Sequence, residues 1–203
     1  MADQTQIPIR SSMTIDLETR ISELQCASQT ALRKYVAPVV SILYNSLKLS
    51  DQIDLQTHQR HLRTYGTTRF YLNYEAINRN KLSHGNRTAL YDYKIQNAVD
   101  LSKLFLQTHM IHYTAFNETC DSSALLGMII NIDKFPVNVQ TAASTIRSTI
   151  RNPWAHCDFT QWDSGKYNLC LQNIEAFIHL LNIGAVEKTQ LIGDLNKWKT
   201  NGN

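Results

Sequence analysis

In the run Arg151-Asn152-Pro153-Trp154-Ala155-His156, a guanidinium and an imidazole stand close together in sequence, with an amide beside the first. These are groups that can divide the work of RNA transesterification. His156, with an ordinary pKa of about 6.5, can take the proton from a ribose 2′-hydroxyl or give one to the departing 5′-oxygen. Arg151 can present its planar fork to the phosphate and stabilise charge on the pentacoordinate transition state. Asn152 can orient the imidazole or the phosphate by hydrogen bonding. RNA carries its own nucleophile, so this chemistry calls for no metal and no cofactor. The competing structural reading makes Arg151 an ion-pairing or carbonyl-capping residue and His156 a hydrogen-bonded core histidine.

Spacing alone does not single out this run. An Arg-x4–6-His pattern is expected about once by chance in a chain of this composition. Arg79-Asn80-Lys81-Leu82-Ser83-His84 repeats both the Arg-Asn start and the gap to His. One Arg and His pair also supplies a single acid-base group where cleavage benefits from two. Two-fold packing of the helix that ends at Arg151, through a narrow stripe of Ala142, Ala143 and Ile146, would bring two pairs to one cleft. A homodimer is the expectation.

Signatures of other enzyme classes are missing, since the chain has no GxSxG, GxxxxGK[ST] or GxGxxG. The net charge of +3, from 20 basic and 17 acidic residues, is too small to draw in nucleic acid through the overall field. Contact with single-stranded RNA must then be local. His58, Arg60, His61, Arg63 and Arg69, followed by Arg79, Lys81, His84 and Arg87, are interleaved with Tyr65, Phe70, Tyr71 and Tyr74. That mixture suits phosphate contacts plus base stacking; the alternative is a solvated basic helix whose aromatics face the core.

Cys26, Cys120, Cys157 and Cys170 have no CxxC spacing and read as free thiols. Cys157 beside His156 lacks the second ligand pair that a zinc site needs. Trp154 and Trp162 read as core anchors, and Asp158 and Asp163 as helix caps. No apolar run approaches the roughly 20 residues of a membrane-spanning helix. Met1 to Ser12 carries Asp3 and Arg10 rather than a basic segment followed by an apolar one. A cytoplasmic location without a membrane partner is expected.

The elements that must position these residues are helices. With 7 Gly and 4 Pro in 203 residues, breakers are few, and apolar residues between them recur at helical intervals. The expected fold is all-α, a single-domain antiparallel helical bundle over residues 14–203 behind a disordered tail from Met1 to Met13. A long first helix carries Leu32, Val36, Val39, Ile42, Leu43 and Leu47, with Pro38 kinking or dividing it. Asp51 to about Leu82 carries the basic and aromatic cluster, and Thr88 to Phe116 reads as a long helix. Asp121 or Ser122 caps Ala124 to Ile132, and Asn138 caps Val139 to about Asn152. Pro153 should bend the chain around Asn152 to Cys157. Helices from Ser164 to Leu181 and from Ala185 to Lys199 close the chain, the latter carrying Leu191, Leu195 and Trp198.

The runs DSSALLGMIINIDKF, AASTIRSTIRNPWAHCDFTQWD and YNLCLQNIEAFIHLL between Asp121 and Leu181 resemble the HEPN domain of DAZ-interacting zinc-finger ubiquitin-ligase-like proteins. IRNPWAHCDFTQW carries most of the likeness, which covers about the last 80 residues and extends only loosely into the N-terminal half. The resemblance implies a helical bundle with its Arg-x4-6-His motif late in the domain, which favours Arg151 and His156 over Arg79 and His84. It implies a dimeric, metal-independent ribonuclease, often in antiviral or stress responses. It equally admits an inactive dimerisation or protein-interaction module in innate immune or ubiquitin-ligase signalling. A nucleotide-binding regulator fits the family name, but the chain has no Gly-rich phosphate cradle.

Overall fold

Leu32, Val36, Val40, Leu43 and Leu47 recur at three- and four-residue intervals on α1 (Ser12–Asp51), and all are buried. Ile42, expected on the same stripe, is instead 70% exposed, because the buried face passes through Val40. Pro38 neither ends nor divides this helix. Lys34 and Pro38 are both exposed, so the hydrogen bond that the proline cannot make is lost on the wet side of the helix. The computed structural model describes residues 12–80, 91–155 and 164–200. The expected tail therefore lies outside the described residues, except that Ser12 and Met13 already belong to α1.

The segment after α1 corrects the helical reading of Asp51 to Leu82. It holds a 3-10 turn at Ile53–Leu55, a hairpin of β1 (Thr64–Tyr65) and β2 (Phe70–Tyr71), and a second 3-10 turn at Tyr74–Ala76. In the hairpin Thr64 pairs with Tyr71 and Tyr65 with Phe70, antiparallel. Gln52, Gly66, Arg69, Asn78 and Arg79 all have positive φ, which a right-handed helix does not admit. Side-chain amides replace helical hydrogen bonding here. Gln56, 5% exposed, donates to the Tyr74 hydroxyl and the Tyr93 carbonyl and accepts from the Leu62 N–H.

Among the described residues, the long helix expected over Thr88 to Phe116 is likewise reduced to α2 (Ala98–Lys103) and a 3-10 turn at Thr108–Met110. Asn97 caps α2, its side chain accepting from the Asp100 N–H. Carbonyls that a longer helix would use internally are taken from outside. The Asn73 N–H donates to the Leu104 carbonyl, the Asn73 amide to that of Leu106, and the Asn131 amide to that of Phe105.

Asp121 caps α3 (Ser122–Asn131) by accepting from the Ala124 N–H at 2.9 Å. Ala124 to Ile129 are all buried, Gly127 among them. A Cβ on Gly127 would lie 2.7 Å from Leu106 Cδ2 and 3.1 Å from Met110 Cε, so glycine is what lets these two side chains lie close against α3. α4 (Val137–Ile146) starts before the predicted Asn138 cap, with Pro136 at the cap position. It packs against α3 and against α6 (Ser164–Leu180), while α7 (Ala185–Thr200) packs on α6 and reaches α1. A Lys34–Glu187 ion pair at 2.8 Å ties α1 to α7. The larger core cluster joins α1, α3 and the loops between them, and the smaller one lies around Ile150, Leu171, Ile174 and Leu195. Ile146 touches both clusters, so the segment ending at Arg151 is anchored on two sides. No helix among the described residues is long and apolar enough to cross a membrane.

Candidate active site

Regular α-helix ends at Ile146 and the chain passes into a wider π turn, Arg147–Arg151, before α5 (Asn152–Ala155). The Asn152 N–H donates to the Arg147 carbonyl, one residue farther back than in an α-helix. Pro153 explains the register. It has no N–H to give, and its ring would press on the carbonyl four residues earlier, that of Thr149, if the α-helical pitch continued. The widened turn relieves this pressure, and the helix runs on through Pro153. The bend expected at Asn152 is therefore corrected at least as far as Ala155.

Arg151 closes the π turn and is half-buried, as are Asn152 and Pro153. Its Nη1 donates to Asn152 Oδ1 over a long 3.4 Å. Among the described residues no carboxylate forms an ion pair with Arg151, and none forms one with Arg147. Arg147 was not singled out by motif reading. Four residues before Arg151, it lies on nearly the same side of the turn. It is half-buried, with Nη2 3.8 Å from Met110 Sδ. The signal was present in the duplicated TIRSTIR, whose period of four puts two arginines together.

His156, the expected acid-base group, lies outside the described residues, as do Cys157, Asp158, Trp162 and Asp163. The same holds for Lys81, His84 and Arg87. The side chains of Cys26, Trp154 and Trp198 are also outside the described set, although their backbones belong to helices.

The second Arg-Asn pair is built differently. Arg79 is exposed with φ 59°, and Asn80 is buried. Asn80 Nδ2 donates to the Tyr74 and Asp92 carbonyls at 2.7 and 3.0 Å, and its Oδ1 accepts from the Asp92 N–H at 3.0 Å. The amide is fully used in pinning two loop segments together. Asn152 has no comparable structural task among the described residues.

No protein-family model, curated protein or solved structure matches the chain.

The basic and aromatic cluster divides between core and surface. Tyr65 and Phe70 pack on Phe105 at 5.4 and 5.6 Å, and Tyr74 is buried, whereas Tyr71 is 81% exposed. Tyr91 and Tyr93, which sequence reading passed over, join the group from the far side of the loop. The Ala142, Ala143 and Ile146 stripe is occupied within the chain: Ala143 is fully buried, and Ala142 and Ile146 pack partly buried on the core. Cys120 and Cys170 are free and buried. Burial, with the Asp121 charge second, pushes the Cys120 thiol up to about 12, and burial raises Cys170. Neither is suited to be a nucleophile near neutral pH.

Proposed function

We propose that the chain is a cytoplasmic, metal-independent endoribonuclease of the HEPN type, acting on single-stranded RNA as a homodimer through Arg151, Asn152 and His156. One observation carries the reading: Arg151 sits half-buried at the end of a π turn, beside Asn152 and without a carboxylate partner among the described residues. A half-buried guanidinium left free of internal ion pairs is well disposed to take a phosphate instead. In the proposed reaction His156 accepts the 2′-hydroxyl proton, the 2′-oxygen bonds to phosphorus, and the bond from phosphorus to the 5′-oxygen breaks. The leaving oxygen is protonated by the second imidazole of the dimer, which gives a 2′,3′-cyclic phosphate and a 5′-hydroxyl end. Arg151 stabilises the charge that builds on the phosphoryl oxygens. The dimer contact would use a face other than the Ala143 stripe; Val137, Asn138, Thr141, Ser144 and Ser148 are the exposed residues of that segment.

The test is incubation of the purified chain with end-labelled, mixed-sequence single-stranded RNA in EDTA, with Arg151→Ala and His156→Ala alongside. Each variant is checked for folding by circular dichroism. The expected result is cleavage by the parent protein and a loss of about 10²–10³-fold or more in each folded variant. RNA left intact over a wide range of protein concentration would replace the nuclease with a non-catalytic dimerisation or interaction module of the same family.

A further inference from the structure

Tyr93 is the centre of an aromatic group drawn from three stretches of the chain. His61 stacks on it with ring centroids 3.9 Å apart and planes inclined by 27°. Tyr74 packs against it at 4.9 Å, and His58 meets it edge-on at 6.2 Å. The group is fixed from beneath. The buried Gln56 amide donates to the Tyr74 hydroxyl at 3.0 Å and the Tyr93 carbonyl at 2.7 Å, and the Tyr74 hydroxyl donates to the Leu62 carbonyl at 2.8 Å. A second hydrogen-bonded turn holds the histidines, with the Thr57 N–H donating to the Arg60 carbonyl at 3.1 Å.

The outer side of this group is wet and basic. His58, Arg60 and Arg63 are exposed, and His61 and Tyr93 are half-buried. Among the described residues no carboxylate forms an ion pair with Arg60 or Arg63. Nearby acidic groups have local tasks: the Glu75 carboxylate acts on the Tyr91 phenol, and the Asp92 carboxylate accepts from the Lys94 N–H. Were these rings needed only for packing, a rim of one exposed and one half-buried histidine with two guanidinium groups that have no carboxylate partner among the described residues would contribute little to it. Base faces stack on aromatic and guanidinium planes, while phosphates take the cations, and this combination is selective for strands whose bases are free.

We infer that the His61–Tyr93 shelf, flanked by Arg60 and Arg63, is a base-stacking site for single-stranded RNA, distinct from the Arg151 region. The inference rests on the reading that this chain handles RNA, and it adds a binding surface that would hold the strand while the Arg151 region acts on it.

The test uses the full chain and a fluorescein-labelled 2′-O-methyl single strand of mixed sequence, which lacks the attacking hydroxyl, with affinity followed by fluorescence anisotropy. The parent protein should bind this strand more tightly than the duplex of the same sequence. Arg60→Ala with Arg63→Ala should weaken binding and reduce the slope of log K against log salt by about 1.4, roughly 0.7 for each phosphate left without its arginine. Tyr93→Leu should weaken binding by about tenfold. If that variant does not fold, His61→Ala takes its place, since it removes the upper ring and leaves the Gln56 hydrogen bonds. Equal affinity for duplex and single strand, or a double arginine variant with unchanged affinity and slope, would overturn the proposal. Binding that depends on the shelf without any cleavage of ordinary RNA would sink the nuclease reading alone. Cleavage with binding indifferent to the shelf would sink the shelf alone.

Discussion

Removing the side-chain amide of Asn80 separates its structural role from the catalytic role proposed for Asn152. Asn80 is 2% exposed and makes three hydrogen bonds, to the Tyr74 carbonyl, the Asp92 carbonyl and the Asp92 N–H. In Asn80→Ala the Asp92 carbonyl keeps a partner, because Asn78 Nδ2 also donates to it at 3.0 Å. The Tyr74 carbonyl, in buried surroundings, and the Asp92 N–H, at their edge, lose theirs. A buried polar group left without a partner costs about 1–3 kcal/mol, and the Asp92 N–H belongs at the low end of that range, so the sum is about 3 kcal/mol. For a chain of this size each kcal/mol lowers the melting temperature by about 2–4 °C, which gives a drop of roughly 6–12 °C. Asn152 is half-buried and has one bond at 3.4 Å, so Asn152→Ala should cost less than about 0.5 kcal/mol while reducing cleavage. Thermal melts of both variants by far-UV circular dichroism, beside cleavage assays, decide it. Asn80→Ala melting no lower than Asn152→Ala would refute the hydrogen-bond accounting.

Gly66→Ala should lose about 2 kcal/mol in urea unfolding, since φ is 72° and the new Cβ would lie 2.8 Å from Asp133 Oδ2, displacing the carboxylate that bonds the Tyr65 hydroxyl. Pro153→Ala should preserve the fold but cut cleavage about tenfold or more, because an N–H able to bond the Thr149 carbonyl removes the reason for the π turn that sets Arg151; unchanged cleavage would separate the turn from the chemistry. Cys120 and Cys170 should resist iodoacetamide at about pH 8 in the native protein and react in denaturant, as peptide mass mapping would show, because burial keeps both as thiols. Stability should fall from about pH 10 upward. Burial raises the phenols of Tyr65, Tyr74 and Tyr113, Tyr74 to about 12, so the folded chain retains protons that the unfolded chain gives up. The contribution is complete below the unfolded value of about 10 and is lost toward the folded values, at up to about 1.4 kcal/mol per pH unit for each phenol. A flat urea midpoint across that window would contradict the buried hydroxyls.

Periodicity located the helices whose partners are other helices. The Asp121 cap of α3 and the spans of α6 and α7 follow from spacing and capping chemistry, and those elements stand within a residue or two of expectation; the α1 stripe holds apart from Ile42, in a helix longer than the spacing called for. Between Asp51 and Phe116 the same reasoning failed for one physical cause. Apolar residues such as Leu72, Ile95 and Leu101 are buried there as helical periodicity suggests. Several of the backbone groups, however, are bonded by the side chains of Gln56, Asn73, Asn80 and Asn131 from a dozen or more residues away. A side-chain amide that substitutes for the helix ladder leaves the hydrophobic spacing almost unchanged, so spacing cannot reveal it.

The candidate site was legible in a different way. Two Arg-Asn pairs with the same gap to a histidine are equivalent as strings, and their separation depends on what each asparagine already does. Asn80 is committed to three backbone groups, and Arg79 beside it is held in a left-handed conformation that the turn requires. A pair whose amide is consumed by the fold has little left with which to orient a substrate. Asn152 and Arg151 touch each other only weakly, and the proline that looked like a helix breaker is accommodated by widening the turn that carries them. Arg147, four residues earlier, lies on nearly the same side, so the chain offers two half-buried cations where the motif promised one. Phosphate recognition benefits from such a pair, since charge developing on the phosphoryl oxygens can be met from two directions. Arg147→Ala should therefore reduce cleavage as well, by less than Arg151→Ala because its guanidinium also lies against Met110. Single-turnover rates of the two variants measure the difference, and an Arg147 variant as fast as the parent would return that residue to a packing role.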